Sequence, residues 1–353
     1  MGTRTAAVVG GGIGGLAVAV GLRSAGWEVT VRERAAGLPE VGTGLGIWPA
    51  ALRALDALGL GERVRRRGSR QADGVIRRPD GSRIATIDVA RLERRYGEPV
   101  HLVTRPVLLA ELAAALPDGV VRFGAPVPDL AALGGYDLVV GADGIRSTVR
   151  AGLYGDRYPL RYAGTVAWRG SAAVEVATGG ETWGRGRKFG VTPQGPGRTN
   201  WYAAVALPEG AQPPPDDLAE LRQLFGGWHQ PIPRLLDALA ADEVLRHEVH
   251  DLTPLPSYVT DRVALLGDAA HAMTPDLGQG ACQALIDAVA LTDCVRSTDD
   301  LPAALRAYDR LRRRPTQRIA ATARRAGWLS QVRHALPARD AAVRLALALG
   351  PPA

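Results

Sequence analysis

The stretch Thr5-Ala-Ala-Val-Val-Gly10-Gly-Gly-Ile-Gly-Gly15 decides how this chain begins to fold. Five uncharged residues read as a short buried strand, and the glycines after them read as a turn. Residues 16–25 are small and aliphatic and read as a helix stopped by Gly26; residues 28–33 read as a second strand. Strand, glycine turn, helix and strand make a βαβ start. Gly10 permits the tight turn, Gly12 lets the backbone approach a pyrophosphate, and Gly15 lets the helix pack on the strand. Ile13 and Gly14 complete a loop whose free N–H groups open a helix, where the dipole favours an anion. Glu33, 18 residues beyond Gly15, is placed to accept both hydroxyls of an adenosine ribose, and Arg34 next to it is counted with the cofactor residues. An acid there disfavours a 2′-phosphate, so the site suits FAD or NAD and not NADP.

A second stretch decides between those two: Arg262-Val-Ala-Leu-Leu-Gly-Asp268-Ala-Ala-His271-Ala-Met-Thr-Pro275-Asp-Leu-Gly278-Gln-Gly280. Residues 263–266 read as a buried strand ending in Gly-Asp. Asp268 is placed to bond a ribityl hydroxyl, and Pro275 to pack near a flavin ring. Gly278, Gln279 and Gly280 offer backbone N–H groups at a helix start, suited to the flavin N1–C2=O edge, where negative charge develops on reduction. NAD needs no second anchor this far along the chain. A long cofactor held at both ends of the sequence reads as FAD.

Bulk properties exclude other classes. At 353 residues, 46% hydrophobic and 22% charged, the chain is an ordinary globular one able to form two domains. Its net charge of +7 comes almost wholly from arginine, since Lys188 is the only lysine. The arginines are interleaved with acids. The clusters at 63–70 and 310–318 sit beside helical patterns and read as solvated helix ends, so no nucleic-acid partner is expected. No apolar run is long enough to span a bilayer, and a first strand starting near Thr5 leaves no signal peptide. Cys282 and Cys294 fall twelve residues apart on one expected helix, too far to bridge. Reduced thiols and a cytoplasmic location follow.

Along the rest of the chain, residues 49–58 and 106–116 read as helices, and a β-like segment runs from Asp73 to Val89 around a Pro79-Asp-Gly turn. Residues 136–140 read as a strand leading into Gly141-Ala-Asp143-Gly-Ile-Arg146-Ser147. Alternating runs between 161 and 207 suggest a mixed or antiparallel sheet, followed by short helices at 218–225 and 233–239 and a strand at 245–251. Helices are expected at 281–295 and 301–313, with a looser helical set from 316 onward. The fold class is α/β: a Rossmann-like FAD-binding domain, an interleaved mixed-sheet substrate domain, and C-terminal helices. The discontinuous FAD-binding domain takes 1–70, 100–158 and 260–300. The substrate domain takes 71–99 and 159–259, and the helical segment 301–353.

The chain resembles the single-component FAD-dependent aromatic hydroxylases, which include p-hydroxybenzoate, salicylate and urate hydroxylases. Three elements carry the resemblance: Gly10-x-Gly12-x-x-Gly15 with Glu33, Asp143-Gly-x-Arg146-Ser, and Gly267-Asp268 through Gly280. Residues 41–49, with Gly46, resemble the family segment beside the flavin, and Arg105 matches a family arginine that contacts FAD. The resemblance implies reduction of FAD by transient NADH or NADPH. It then implies oxygen addition at flavin C4a and transfer of OH from the hydroperoxide to an electron-rich aromatic or heteroaromatic small molecule. It also implies that Asp143-Gly144 serves both FAD and the nicotinamide; Arg146 is a candidate for that anionic partner or a surface ion pair at a helix start. No catalytic side chain and no metal are assigned, and the assembly is a monomer or homodimer. Epoxidation, Baeyer–Villiger insertion and a flavin oxidase or dehydrogenase remain alternatives, as does a non-enzymatic flavin-binding protein.

Two departures from the family are visible. The hairpin usual between 121 and 136 is shortened. Lys188 and Asn200 stand where the urate-hydroxylase relatives place an arginine and a tyrosine, which counts against urate. Period-two alternation puts Lys188, Gly190 and Thr192 on one face and Asn200, Tyr202 and Ala204 on another. If these faces meet in a cavity, Lys188, Asn200 and Tyr202 bind substrate, and Lys188 orients a phenolate or carboxylate; otherwise Lys188 is a surface residue. His271 reads as a structural hydrogen bonder. His247 and His250 lie on opposite faces of a strand and read as structural, not as a metal pair; Trp168, Trp183 and Trp201 read as sheet core.

Overall fold

The structure, a computed structural model, describes residues 3–71, 74–240 and 244–349. Asp73, where the expected β-like segment starts, lies outside them. Five parallel strands form one sheet in the spatial order Val263–Leu265, Leu138–Gly141, Thr5–Val9, Glu28–Arg32 and Val121–Arg122. Its central strands are uncharged because both faces are covered: Ala6, Ala7, Val8, Leu138, Val139 and Val140 are fully buried. The helices Ile13–Ser24 and Gly280–Arg296 pack against each other beside this sheet. Strand order reverses at Thr5–Val9, so the crevice beyond its carboxyl end is the expected ligand position for a doubly wound sheet.

A seven-stranded mixed sheet runs Leu245–Leu252, Leu160–Ala172, Arg198–Ala206, Arg187–Gly195, Gly180–Trp183, Gly74–Arg77 and Arg83–Ile87. Only the Gly180–Trp183 and Gly74–Arg77 pairing within it is parallel. Alternation gives the sheet two different faces. Trp168, Phe189, Trp201 and Val205 pack under the helices Asp217–Phe225 and Ile232–Asp237, through Leu218, Leu221, Phe225 and Leu235. The opposite face is polar and looks toward the parallel sheet. A three-stranded sheet, Gly44–Ile47, His101–Thr104 and Ser69–Arg70, lies between the two.

Three expectations are corrected. The helix at 301–313 does not end before Pro315 but runs unbroken over Leu301–Ser330. Proline removes the backbone donor to the Leu311 carbonyl, while the Thr316 hydroxyl donates to the carbonyls of Arg312 (2.9 Å) and Arg313 (3.2 Å). Burial of Tyr308, Arg312 and Thr316 holds this turn in place. The arginines at 310–318 therefore sit in mid-helix, not at a helix end. Helices Gly61–Arg67 and Val89–Tyr96 were not expected, whereas Thr148–Tyr154 follows the helix start expected at Arg146. Between Val121–Arg122 and Leu138–Gly141 the described residues form one 3₁₀ turn, Ala131–Leu133, and no hairpin. Cys282 and Cys294 are both free on the Gly280–Arg296 helix. Among the described residues no helix is long and apolar enough to cross a membrane.

Candidate active site

One cavity of about 600 Å³ joins the carboxyl end of the parallel sheet to the polar face of the mixed sheet. Gly12, Ile13 and Gly14 line its near end, and Gly267, Asp268, Pro275, Gly278 and Gly280 line the other side. Gly44, Gly46, Trp48 and Arg105 close it from the small sheet. The glycine turn is sterically forced: a Cβ on Gly15 would stand 1.9 Å from the Gly10 carbonyl oxygen, and Gly10 has φ +103°.

The residues present fit a dinucleotide. The Ile13–Ser24 helix has no side-chain cap and no acid in its first turn, and the same holds for Gly280–Arg296. Two sets of free N–H donors thus open toward one cavity, as an anionic or carbonyl-bearing ligand requires. Asp268 is exposed to that cavity and has no hydrogen-bond partner among the described residues. The protein enclosing it raises its carboxyl above the ordinary value, with His271, Arg105 and Arg150 pulling the other way. An acceptor left bare in an enclosed space suits a ligand hydroxyl.

Other expected cofactor residues make contacts within the protein. Glu33 accepts from the backbone N–H of Gly11 (2.6 Å) and of Ala35 (2.8 Å), so it clamps the glycine turn. Asp143 accepts from Ser147 Oγ and from the backbone of Thr148 (2.7 Å) and Val149 (3.1 Å), which caps the Thr148–Tyr154 helix. Gly144 lines the cavity, whereas Asp143 and Arg146 do not; Arg146 is exposed, as is Arg34. Gln279 precedes the Gly280 helix as its N-cap residue.

The floor comes from the mixed sheet. Lys188, Thr192, Asn200, Tyr202 and Ala204 all line the cavity, and Lys188 is only 6% exposed, so it is not a surface residue. Its Nζ lies 2.8 Å from Asp276 Oδ1 and 3.8 Å from Glu181 Oε1. Burial opposes the ammonium, but the two carboxylates outweigh it and hold its pKa above the ordinary value. Tyr202 lies across Gly190, where a Cβ would meet its ring at 2.2 Å, and donates to Glu181 on the far side. Trp183 Nε1 donates to the same carboxylate. Asn200 Oδ1 accepts from Gly44 N at 2.7 Å, tying the floor to the small sheet.

Asp276, Glu181, Arg169 and His247 were missed as site residues. Asp276 stands inside the quoted Thr-Pro-Asp-Leu stretch, but nothing local couples it to Lys188. Glu181 meets Lys188 and Tyr202 only through the register that pairs Trp183 with Lys188 and Gly190 with Tyr202. Behind the Asp268 turn, buried Asp287 accepts from Gly267 N (3.0 Å) and Arg312 Nε (2.7 Å) and pairs with His271 Nε2 (2.5 Å). His271 is thereby a support of the turn. Burial pushes the Asp287 carboxyl up, yet His271 and Arg312 bring it down to about 2.

The sequence model of the FAD binding domain family matches residues 3–127 and 136–322. Its interruption falls in the shortened segment. The chain is 39% identical over 344 residues to the aurachin C monooxygenase/isomerase of Stigmatella aurantiaca, covering 93% of this chain and 90% of that protein. It is 34% identical over 330 residues to an FAD-dependent urate hydroxylase of Klebsiella pneumoniae, covering 86% and 84%. The solved structure of Klebsiella pneumoniae HpxO complexed with FAD and uric acid superimposes with a TM-score of 0.86 at 30% identity, covering 98% of this chain and 92% of that one.

Proposed function

The chain belongs to the FAD-dependent aromatic hydroxylase family, and on that premise we propose that it oxygenates an aromatic or heteroaromatic small molecule at the expense of NADH or NADPH and O2. The observation that carries this reading is the single cavity in which two uncapped helix N-termini and a bare Asp268 face a polar sheet floor. Bound FAD supplies the oxygen-activating chemistry; the protein orients, encloses and excludes water. In our reading the Gly12–Gly15 amides receive the pyrophosphate and Asp268 a ribityl hydroxyl. Gly278, Gln279 and Gly280 offer their amides to the ring edge, Pro275 packs beside the ring, and Lys188, Asn200 and Tyr202 form the substrate floor. We divide the chain accordingly, with 1–70, 100–158 and 260–300 holding the cofactor and 71–99 with 159–259 holding the substrate.

Urate is not the expected substrate: Lys188 is already neutralised by two carboxylates, and the Asn200 carbonyl is engaged by Gly44. The test is anaerobic flavin reduction with NADH and with NADPH, followed by ¹⁸O₂ and a panel of phenols, heteroarenes and urate. Substrate-stimulated oxidation with one labelled atom in the product supports the proposal. A flavin that neither nicotinamide reduces sinks it. Product structure separates hydroxylation from epoxidation or ring insertion.

A further inference from the structure

Two buried arginines meet carboxylates, Arg312 with Asp287 and Arg339 with Asp340, and buried Arg150 donates to the carbonyls of Ala269 and Ile145. One corner of the cavity holds two arginines, Arg105 and Arg169, whose surface is open and which meet neither carboxylate nor carbonyl among the described residues. Arg169 projects from the cavity face of Leu160–Ala172, on the same side as Thr165 and Ala167. Arg105 opens the Arg105–Ala113 helix, and His247 stands on the neighbouring strand, in register with Ala167. All three line the cavity, and none has a side-chain hydrogen bond or ion pair among the described residues. They also disfavour one another. Burial and then Arg105 push the Arg169 pKa down, and burial with Arg169 holds His247 down at about 4.

The opposite corner is compensated, since Lys188 faces both Glu181 and Asp276. The free positive charge of the cavity is therefore not on Lys188, as the sequence suggested. Arginine stays protonated, and its planar fork matches carboxylate or phosphate oxygens. We infer that Arg169, flanked by Arg105 and His247, is an anion-binding corner that receives an anionic oxygen of a ligand carried onto the flavin. Besides FAD, whose pyrophosphate the glycine turn receives, two ligands carry such oxygens: the aromatic substrate, as carboxylate or phenolate, and the nicotinamide co-substrate, through its phosphates. Only that choice of ligands rests on the monooxygenase reading; the charge arrangement does not.

The test uses the FAD-loaded protein, Arg169→Met and Arg169→Lys, with benzoate, the uncharged benzamide, and NADH as probes. Binding is read by tryptophan fluorescence and by flavin absorbance, and reduction by anaerobic stopped flow. A substrate role predicts that Arg169→Met weakens benzoate by about tenfold or more while benzamide changes little. A nucleotide role predicts instead that the NADH concentration for half-maximal reduction rises by about tenfold, with benzoate unmoved. In either case Arg169→Lys recovers part of the loss. The thermal midpoint of Arg169→Met stays level, because the side chain is open to the cavity and bonds no described residue. Unchanged benzoate and NADH dependence, or a fall in thermal stability, overturns the inference. If the protein proves unable to use NADH or NADPH, the fluorescence titrations still read the corner, so the two failures are distinguishable.

Discussion

Lys188 Nζ lies 2.8 Å from Asp276 Oδ1 and so joins the floor of the mixed sheet to the turn before the Gly280–Arg296 helix. Both side chains are nearly inaccessible, at 8% and 11%. Removing one partner strands the other charge in a poorly solvated place. Lys188→Met should therefore cost about 3–5 kcal/mol of stability and loosen flavin retention. Lys188→Met combined with Asp276→Asn should recover part of that loss. Urea unfolding of the FAD-loaded proteins measures both; a single variant as stable as the parent would show that the pair braces nothing.

Gly190 leaves the space that Tyr202 fills on its way to Glu181. Gly190→Ala puts a methyl group into the ring and should cost about 1–3 kcal/mol through overpacking. Freed from Glu181, Tyr202 should disturb ligand affinity at the floor while the flavin remains bound. Titration with benzamide and the 450 nm flavin absorbance separate the two effects. Normal stability together with normal affinity would mean that the strand yields without moving the tyrosine.

Acid should weaken the fold in two stages. His247 is held neutral by burial and by Arg169, with its pKa at about 4, against about 6.5 in an unfolded chain. The unfolded state takes its proton first, so this contribution is whole above about pH 6.5 and falls as pH drops toward 4. Asp287, brought down to about 2, contributes above about pH 3.9 and loses that contribution as pH falls through 2. His247→Leu should flatten the first stage and leave the second. Unfolding midpoints between pH 3 and 8 test this, and parallel curves for parent and variant between pH 6.5 and 4 would contradict it.

What the sequence disclosed and what it withheld follow from where each constraint lies. Gly10, Gly12 and Gly15 act through backbone geometry within one turn, so the βαβ start and its place in the parallel sheet were legible. Asp268 and the uncapped Gly280 helix were legible for the same reason. The cavity face of the mixed sheet followed from period-two alternation. Its electrostatics did not, because Lys188, Glu181 and Asp276 come from three elements brought together by strand register and domain packing. Asp143 and Arg146 match a motif, but their local contacts, a carboxylate that caps a helix and an exposed arginine, were not legible in it. The helix expected over 301–313 runs on through Pro315, where burial of Tyr308 and Thr316 holds the turn.

Asp268 offers the most direct test of the cofactor reading. Its carboxylate stands open to the cavity, about 4.0 Å from where a Cβ on Gly280 would lie, and no described residue bonds it. Since it supports nothing else in the fold, Asp268→Ala should leave the apoprotein at least as stable as the parent, because a carboxylate disfavoured by its enclosure is gone. Flavin binding should instead weaken by about 1.5–3 kcal/mol, the range for a hydrogen bond to a charged group, so that FAD is lost during purification. Asp268→Asn keeps an acceptor and should retain an intermediate share. Flavin content by absorbance, set beside apoprotein unfolding, reads the two consequences separately. Full retention of FAD in Asp268→Ala would remove this residue from the cofactor site, and a destabilised apoprotein would assign it to the fold.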